Sequence, residues 1–452
     1  MGPDALVDEL VARLGPQRVV TDAEVRRGYE VDWTGRYRGT ARCVARPCDV
    51  DEVVAVVTAC AAAGVPIVTQ GGNTGLVGGG VPHGDAPVLL STRGLTRLDP
   101  VDVPAAQVTA GAGVTIEALQ HRARDAGLDF GVDWGARASA TVGGAVATNA
   151  GGSRVVRFGT MRAQVMGVQA VLADGAVVDD LRGLPKETVG PHLPSILTGS
   201  EGTLAVITAA RLRLVPLFDH RVAALVVLSS LDEAPALLAA LRGLGDLDAV
   251  ELILGPAARL VEAQTGLRLP LPVPDGGAAV IVDCAGWSDA TDALTAAIGD
   301  RDGVLADGAR RTHLFEVRDH ITTSINERGV PLKLDVAVPV GRLAELVAIA
   351  ETALDRHAPS ARLYAFGHLA EGNLHLNVLG AGDAAPAITA DVLDAVVELG
   401  GTISAEHGVG IAKVAWLERV KGPGSAAALR AIKHALDPAG ILNPGVLFRA
   451  DG

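Results

Sequence analysis

The stretch VPIVTQGGNTG, residues 65–75, joins an apolar segment directly to a glycine-rich loop. Residues 65–69 are typical of a short buried strand, and the loop QGGNTG (70–75) follows at once. Successive backbone N–H groups with no side chain in the way form a concavity that binds anions. The spacing matches neither G-x-G-x-x-G nor the P-loop pattern, so it predicts neither a Rossmann site nor a P-loop. An ordinary glycine-rich turn is the alternative.

A second glycine-rich run lies at residues 135–152, and residues 138–153 carry no charge. Glycine makes up 55 of 452 residues, about 12% against a usual ~7%, and the excess is local, with seven glycines within residues 71–84 and six within residues 131–152. A long polar run without charge in a compact domain indicates a buried ligand. Two such loops fit a large dinucleotide better than a single phosphate. Tight packing of loop against helix is the alternative.

Two histidines flank the sequence Glu371-Gly372-Asn373. If these three residues form a hairpin turn, His368 and His375 lie on opposing strands and can face one another. Asn377 then shares the face of His375, because side chains alternate along a strand. Two imidazoles that meet across a hairpin favour a divalent metal site. A single histidine satisfied within a core is the alternative.

Glu406 and His407 are adjacent in the sequence SAEHG, residues 404–408. A carboxylate beside an imidazole could supply a third metal ligand and a general base. A surface pair before a helix is the alternative.

Three further polar residues could bind an anion. Arg318 and Thr322 are four residues apart and therefore share one helical face. Lys333 lies between leucines in the strand-like sequence PLKLD, residues 331–335, so it could point into a pocket. A solvated face, with Lys333 paired to Asp335, is the alternative.

Composition narrows the class of protein. The net charge is −13 and aromatic residues make up 3% of the chain, which argues against nucleic-acid binding. The four cysteines have no C-x-x-C spacing, so they predict neither a disulfide scaffold nor a cysteine zinc site. The N-terminal segment lacks the features of a signal peptide, and the sequence predicts no transmembrane segment. A cytoplasmic location is expected.

Helical and strand-like segments alternate through the first 216 residues, among them a helix predicted at 50–63 and a long strand predicted at 203–214, and a second region begins near Phe218. Strands alternating with helices in that region indicate a smaller α+β domain. We therefore expect an α+β fold.

Five strings together resemble the FAD-linked oxidase family with the vanillyl-alcohol-oxidase fold, and in particular its D-2-hydroxyacid dehydrogenases. They are QGGNTG (70–75), GGAVATNAGG (143–152), GSEGTL (199–204), GNLHLN (372–377) and SAEHGVG (404–410). They recur in that family in this order, and the resemblance covers nearly the whole chain. It implies a two-part FAD-binding domain at residues 1–216, a substrate-binding cap domain at 217–400, and a C-terminal segment at 401–452 that completes the active site.

The resemblance also implies a role for each site residue. The FAD pyrophosphate would contact Gln70, Gly71, Gly72, Asn73, Thr74 and Gly75. The rest of the dinucleotide would be lined by Gly135, Ser139, Gly143, Gly144, Asn149, Gly202 and Ile207. The metal ligands would be His368, His375 and Glu406. The substrate would bind to Arg318, Thr322, Lys333 and Asn377, and His407 would be the catalytic base.

The activity implied is an FAD-dependent, metal-assisted oxidation of a small D-2-hydroxy acid, such as 2-hydroxyglutarate or lactate, to the 2-keto acid. Hydride would pass to flavin N5, and a quinone or an electron-transfer flavoprotein would accept the electrons. The flavin would be bound non-covalently and the metal would be zinc, although two histidines and a glutamate also suit manganese, iron or cobalt. A homodimer is common in the resembling family.

Three alternatives stay open. The first is a flavin oxidase that returns electrons to O₂. The second is a metal-dependent hydrolase that uses the histidines without flavin, and the third is a non-catalytic nucleotide-binding subunit. If the chain is a D-2-hydroxyacid dehydrogenase, the leucines beside Lys333 predict a substrate with a less polar tail.

Overall fold

A computed structural model of the protein describes residues 3–449. The chain forms two compact units. The first comprises residues up to 151, residues 159–217 and the segment from 406 onward; the second comprises residues 152–158 and 218–405. The sequence does not predict that the short segment 152–158 packs with the second unit.

Helices and strands alternate along much of the chain, and the α+β class is confirmed. The strands are β1 Val19–Val20, β2 Cys43–Ala45, β3 Ile67–Gln70, β4 Val88–Ser91, β5 Gln107–Gly111, β6 Leu128–Asp129, β7 Val165–Val171, β8 Val177–Asp180, β9 Val206–Arg213, β10 Val215–Pro216, β11 His220–Leu228, β12 Leu247–Leu254, β13 Ala278–Gly286, β14 Gly303–Ala306, β15 Leu332–Ala337, β16 Arg362–His368 and β17 Asn373–Leu379. The α-helices are α1 Pro3–Leu14, α2 Ala23–Arg26, α3 Val50–Ala63, α4 Ile116–Asp125, α5 Val142–Thr148, α6 Val155–Phe158, α7 Met161–Gln164, α8 Leu193–Leu197, α9 Ala234–Leu241, α10 Gly255–Thr265, α11 Thr291–Ile298, α12 Gly308–Glu327, α13 Leu343–His357, α14 Ala385–Glu398 and α15 Leu417–Leu436.

The first unit contains two four-stranded sheets and a two-stranded one. In the order β1-β2-β4-β3, the last three strands are parallel. Helix α3 packs on this sheet through its apolar stripe. Caps set both of its ends: the Asp49 side chain accepts from the Glu52 backbone N–H, and Gly64 adopts φ 62°. The glycine loop therefore begins at a fixed point, the end of β3.

The second sheet of this unit is antiparallel, in the order β5-β9-β7-β8. Strands β6 and β10 form a separate antiparallel pair. The antiparallel sheet packs against α4 and α5 around a core that contains Ile116, Phe130 and Met161, all fully buried. The glycine-rich run 135–152 therefore has a rigid support.

The second unit is built on one seven-stranded antiparallel sheet, in the order β14-β11-β13-β12-β16-β17-β15. Helices α10 and α12 cover one half of one face. The apolar side of α12, with Leu314, Val317 and Ile321, packs into that half. None of the helices within residues 3–449 combines the length and hydropathy that a membrane span requires.

Candidate active site

The first glycine loop is held by side chains on either side of it. Gln70, 2% exposed, donates from Nε2 to the carbonyls of Tyr29 at 2.9 Å and Gly80 at 2.7 Å. Asn73 adopts φ 56° and donates from Nδ2 to the carbonyl of Val31 at 2.8 Å. These contacts tie the loop to the backbone of residues 29–31 and of Gly80.

Glycines of the two loops fall into two groups. A Cβ on Gly71 would lie 2.4 Å from Thr141 Oγ1, and one on Gly72 would lie 2.0 Å from the carbonyl oxygen of Ser139. The two loops therefore pack directly on each other. By contrast, no atom lies within 4 Å of where a Cβ on Gly75 or Gly135 would be. These two glycines border open space in which a dinucleotide can approach the backbone.

The remaining dinucleotide residues are partly structural. Thr141 caps α5, Gly143 packs against Ala112, and Asn149 ends the helix at φ 51°. The Asn149 Oδ1 accepts from Thr160 Oγ1 and from the Arg162 backbone N–H, both at 2.9 Å. Gly202 adopts φ 75° near Asn443, and Ile207 is 4% exposed within the core. Tight packing, the alternative interpretation of the run 135–152, accounts for Gly143 and Asn149.

Glu201 is a residue of the first unit to which the sequence assigned no role. Its carboxylate accepts from the backbone N–H groups of Val409 at 2.8 Å and Gly410 at 2.7 Å. Desolvation raises the pKa of Glu201 above its usual value, while the two backbone bonds and nearby Lys413 oppose the rise. The carboxylate thus anchors the loop that follows His407. Glu406 and His407 themselves begin the last segment of the first unit.

In the second unit, polar side chains form three rows across neighbouring strands on one face of the sheet. Directly opposed residues of antiparallel strands share a face. The rows run Glu251–His368–Asn373, Ile253–Phe366–His375–Asp335 and Tyr364–Asn377–Lys333. The three rows belong to strands β12, β16, β17 and β15. The hairpin expected around Glu371 to Asn373 is present, with Gly372 at φ 66°.

The two histidines lie on adjacent rows rather than directly opposite each other. Their ring centroids are 5.4 Å apart. The Nδ1 atom of His368 lies 2.6 Å from Glu251 Oε1, and that of His375 lies 3.4 Å from Asp335 Oδ1. Both carboxylates are 1% exposed. When Nδ1 of His368 donates to Glu251, the lone pair is left on Nε2, which is the form that ligates a metal. The 3.4 Å contact of His375 lies outside hydrogen-bond geometry.

The cationic candidates lie on the same face. Arg318, from α12, places Nε 2.7 Å from Glu251 Oε2, as an ion pair outside hydrogen-bond geometry, and its guanidinium lies 4.5 Å from the Phe366 ring centroid. Lys333 donates from Nζ to Asn377 Oδ1 at 3.2 Å. Thr322 follows Arg318 by one helical turn and is half-buried. The structure therefore brings His368, His375, Arg318, Lys333 and Asn377 together within one unit.

The leucines beside Lys333 do not belong to this face. Leu332 and Leu334 pair with Val378 and Leu376 and are buried on the opposite side of the sheet. The sequence-based prediction of a less polar substrate tail is therefore wrong in its reasoning, because residues that flank a strand position point away from it.

Family models match most of the chain. Residues 41–180 match a model described as an FAD binding domain, and residues 218–447 match one described as the C-terminal domain of FAD linked oxidases. The mitochondrial D-2-hydroxyglutarate dehydrogenase of Bos taurus is 34% identical over 97% of this chain and 82% of its own length. The D-2-hydroxyglutarate dehydrogenase of Xanthomonas citri pv. viticola is also 34% identical, over 95% of this chain and 94% of its own.

Solved structures share the fold at lower identity. The p-cresol methylhydroxylase with substrate bound has a TM-score of 0.80 and is 18% identical, covering 99% of this chain and 97% of that one. The 4-ethylphenol oxidase of Gulosibacter chungangensis has a TM-score of 0.78, also at 18% identity, and covers 98% and 97%. At this identity the likeness concerns the fold alone.

Proposed function

Because the chain belongs to the FAD-linked oxidase family and has the vanillyl-alcohol-oxidase fold, we propose that it oxidises a D-2-hydroxy acid to the 2-keto acid. FAD is its cofactor, and the protein is an oxidoreductase. D-2-Hydroxyglutarate is the first candidate substrate, since both relatives are named for it. D-Lactate and similar acids are the next candidates.

The observation that carries the proposal is the pair of cations on the polar face of the second unit. Arg318 and Lys333 lie on a face that also holds two histidines, in a chain of net charge −13. Two local cations in an acidic protein favour a small anionic substrate over a large polyanion. A guanidinium matches a carboxylate with two parallel N–H donors.

Each of these residues would have its own role in the reaction. Arg318 binds and orients the substrate carboxylate, and Lys333, held by Asn377, adds positive charge beside it. Thr322 offers a hydroxyl one helical turn from Arg318. His407 accepts the proton of the C2 hydroxyl as general base. FAD, when bound, supplies the two-electron acceptor for this oxidation.

A divalent metal, for which zinc is the first candidate, would be bound by His368, His375 and Glu406. Two features support this part of the proposal. The Nδ1 atoms of His368 and His375 lie 2.6 and 3.4 Å from buried carboxylates, and the backbone N–H of Ala405, the residue before Glu406, donates to Asp335 at 3.2 Å. When bound, the metal lowers the pKa of a hydroxyl that it contacts.

The proposed function also includes the mode of FAD attachment, the electron acceptor and the oligomeric state. We propose non-covalent FAD, because both ring nitrogens of His83, the histidine near the first loop, face backbone carbonyls at 2.8 and 2.7 Å. The electrons pass to a quinone or an electron-transfer flavoprotein, and the protein works in the cytoplasm, as a homodimer. A hydrolase without flavin would leave the FAD binding domain unexplained.

The test is the flavin absorbance of the purified protein between 300 and 550 nm, before and after anaerobic addition of a panel of D-2-hydroxy acids. Bleaching by one acid, and not by its L enantiomer, is expected. A flavin band that no acid bleaches, with metal restored, would contradict the substrate class. Stoichiometric peroxide during aerobic turnover would favour the oxidase over the dehydrogenase.

A further inference from the structure

Glu251 is a buried carboxylate in the middle of the apolar strand β12. It is 1% exposed and lies opposite His368 in the register of β12 and β16. Burying a carboxylate is costly unless charged or hydrogen-bonding groups compensate it. A carboxylate between Val250 and Leu252 therefore needs charged or hydrogen-bonding partners that offset the cost of its burial.

The two oxygens of Glu251 contact two different functional side chains. Oε1 lies 2.6 Å from His368 Nδ1, and Oε2 lies 2.7 Å from Arg318 Nε. His368 is a proposed metal ligand and Arg318 is the proposed substrate-carboxylate group. One buried side chain thus bridges the two parts of the site, and all three residues belong to the same unit.

We propose that Glu251 is a positioning residue that couples metal binding to binding of the substrate carboxylate; this rests on the proposed function. On the metal side, Glu251 fixes the ring orientation of His368 and the tautomer with its lone pair on Nε2, and it makes the ring a more basic ligand. On the substrate side, Glu251 holds Arg318 as an ion pair on the Nε side of the guanidinium, without a hydrogen bond. The forked pair of Nη groups, which carries the other four N–H donors of the guanidinium, is thereby oriented for the substrate.

Asp335, in the same sheet, is the buried carboxylate beside the other proposed histidine ligand. It stands opposite His375 in register, with Oδ1 3.4 Å from His375 Nδ1, and it accepts from Asn373 Nδ2 at 2.9 Å. Each proposed histidine ligand therefore has a buried carboxylate at Nδ1. The carboxylate of Glu251 differs in that its second oxygen faces a substrate group, and this difference predicts an effect on substrate affinity as well as on metal affinity.

The experiment compares the wild-type holoenzyme with E251Q, which keeps the shape of the side chain and removes its charge. Asp283→Asn is the matched control: Asp283 is 2% exposed, lies in the same sheet, and pairs with Arg311 through two contacts of 2.6 Å. Each protein is stripped of metal and titrated with Zn²⁺ against a chromophoric chelator. The flavin band, thermal unfolding, KM and kcat are measured on the same samples.

For E251Q we expect the Kd for Zn²⁺ to rise about 10-fold to 100-fold, with a rise in KM for the hydroxy acid and the flavin band retained. For D283N we expect lower thermal stability but a Zn²⁺ Kd within about twofold of wild type, because a merely structural loss does not reach the histidine. Should E251Q lose its flavin band, the double variant E251Q/R318M, which leaves no lone buried charge, is expected to fold and to show the same weakening of Zn²⁺ binding.

Two results would overturn the inference, and they are distinguishable. If wild type binds Zn²⁺ and E251Q binds it as tightly with unchanged KM, the role of Glu251 is refuted and the proposed function stands. If wild type binds no Zn²⁺ while the flavin is still bleached by a hydroxy acid, the metal-assisted part of the proposed function fails and the coupling fails with it.

Discussion

Glu201 accepts a hydrogen bond of 2.7 Å from the backbone N–H of Gly410, a residue 209 positions further along the chain. The neighbouring Gly408 adopts φ 84°, and a Cβ there would lie 2.9 Å from Glu201 Oε1. The loop that follows His407 is therefore shaped around this carboxylate, and the shape depends on a glycine that leaves room for it.

Glu201→Gln is expected to cost about 1–3 kcal/mol of unfolding free energy and to lower turnover about 10-fold or more, since small displacements of a catalytic group are costly. Thermal unfolding and kcat measure the two effects. Asp437→Asn is the control, because Asp437 also accepts two backbone N–H groups, from Ile441 and Leu442. Equal turnover losses in both variants would argue against a special role for Glu201.

His407→Ala is expected to lower turnover by ~10²-fold or more, because it removes the proposed general base. The flavin band should persist, since His407 is not among the residues expected to hold FAD. Steady-state kinetics with D-2-hydroxyglutarate, alongside the absorbance spectrum, provide the measurement. Wild-type turnover in this variant would exclude His407 from proton transfer.

Lys333→Met is expected to raise KM for the hydroxy acid about 10-fold or more while changing kcat less, because it removes a charge that is proposed to bind the substrate carboxylate. Leu332→Met is the matched control on the opposite face of the same strand, where a volume-conserving change should leave the substrate ranking unaltered. A panel of hydroxy acids of different tail polarity measures both. A shifted ranking in the Leu332 variant would contradict the assignment of faces.

Gly72→Ala and Gly75→Ala separate loop packing from cofactor approach. A Cβ on Gly72 meets the Ser139 carbonyl at 2.0 Å, so we expect a loss of about 1–3 kcal/mol in the stability of the apoprotein. A Cβ on Gly75 meets nothing, so the apoprotein should unfold at the wild-type temperature while binding less FAD. Thermal unfolding and flavin content per chain test this. Equal destabilisation of the apoprotein by both changes would contradict it.

Cysteine reactivity should be confined to one thiol. Cys48 is exposed, whereas Cys43, Cys60 and Cys284 are buried. Burial raises the pKa of Cys43 to about 11 and of Cys284 to about 12, so few thiolates form there at neutral pH, and their reactivity should grow only as the pH approaches those values.

A thiol-specific chromogenic reagent should therefore titrate about one thiol in the native protein and all four after denaturation. Cys48→Ser should abolish the native reaction. A Cys48→Ser protein that reacts as fast as wild type would show that a buried thiol becomes accessible.

Local signals account for what could be predicted from the sequence. Helix α3 was expected at residues 50–63 and occupies them, because Asp49 and Gly64 cap it. The strand expected at 65–69 is displaced to 67–70, since Pro66 has no N–H to donate to a ladder. The predicted long strand 203–214 begins only at Val206, because the turn at Glu201 and Gly202 continues through Thr203, whose backbone N–H donates to the Ser200 carbonyl at 2.9 Å.

Contacts between residues that are distant in sequence could not be predicted from the sequence. The motifs identified His368 and His375 in the sequence. Only the register of the four strands shows that Glu251 lies beside His368 and Asp335 beside His375. Glu251 did leave a signal, as a lone charge within the apolar run 249–254. Its partners Arg318 and His368 are distant in sequence, so no local pattern could identify them.

The segment 152–158 has a consequence for recombination between relatives. The chain passes between its units at 151/152, 158/159, 217/218 and 405/406. Arg154 binds Asp248 through contacts of 3.0 and 3.3 Å, and Arg157 also reaches Asp248, at 3.4 Å. A chimaera that exchanged only residues 218–405 would keep Arg154 and Arg157 of one parent but would take the residue at position 248 from the other. Transplanting the second unit intact therefore means moving two pieces of gene, one of them seven codons long.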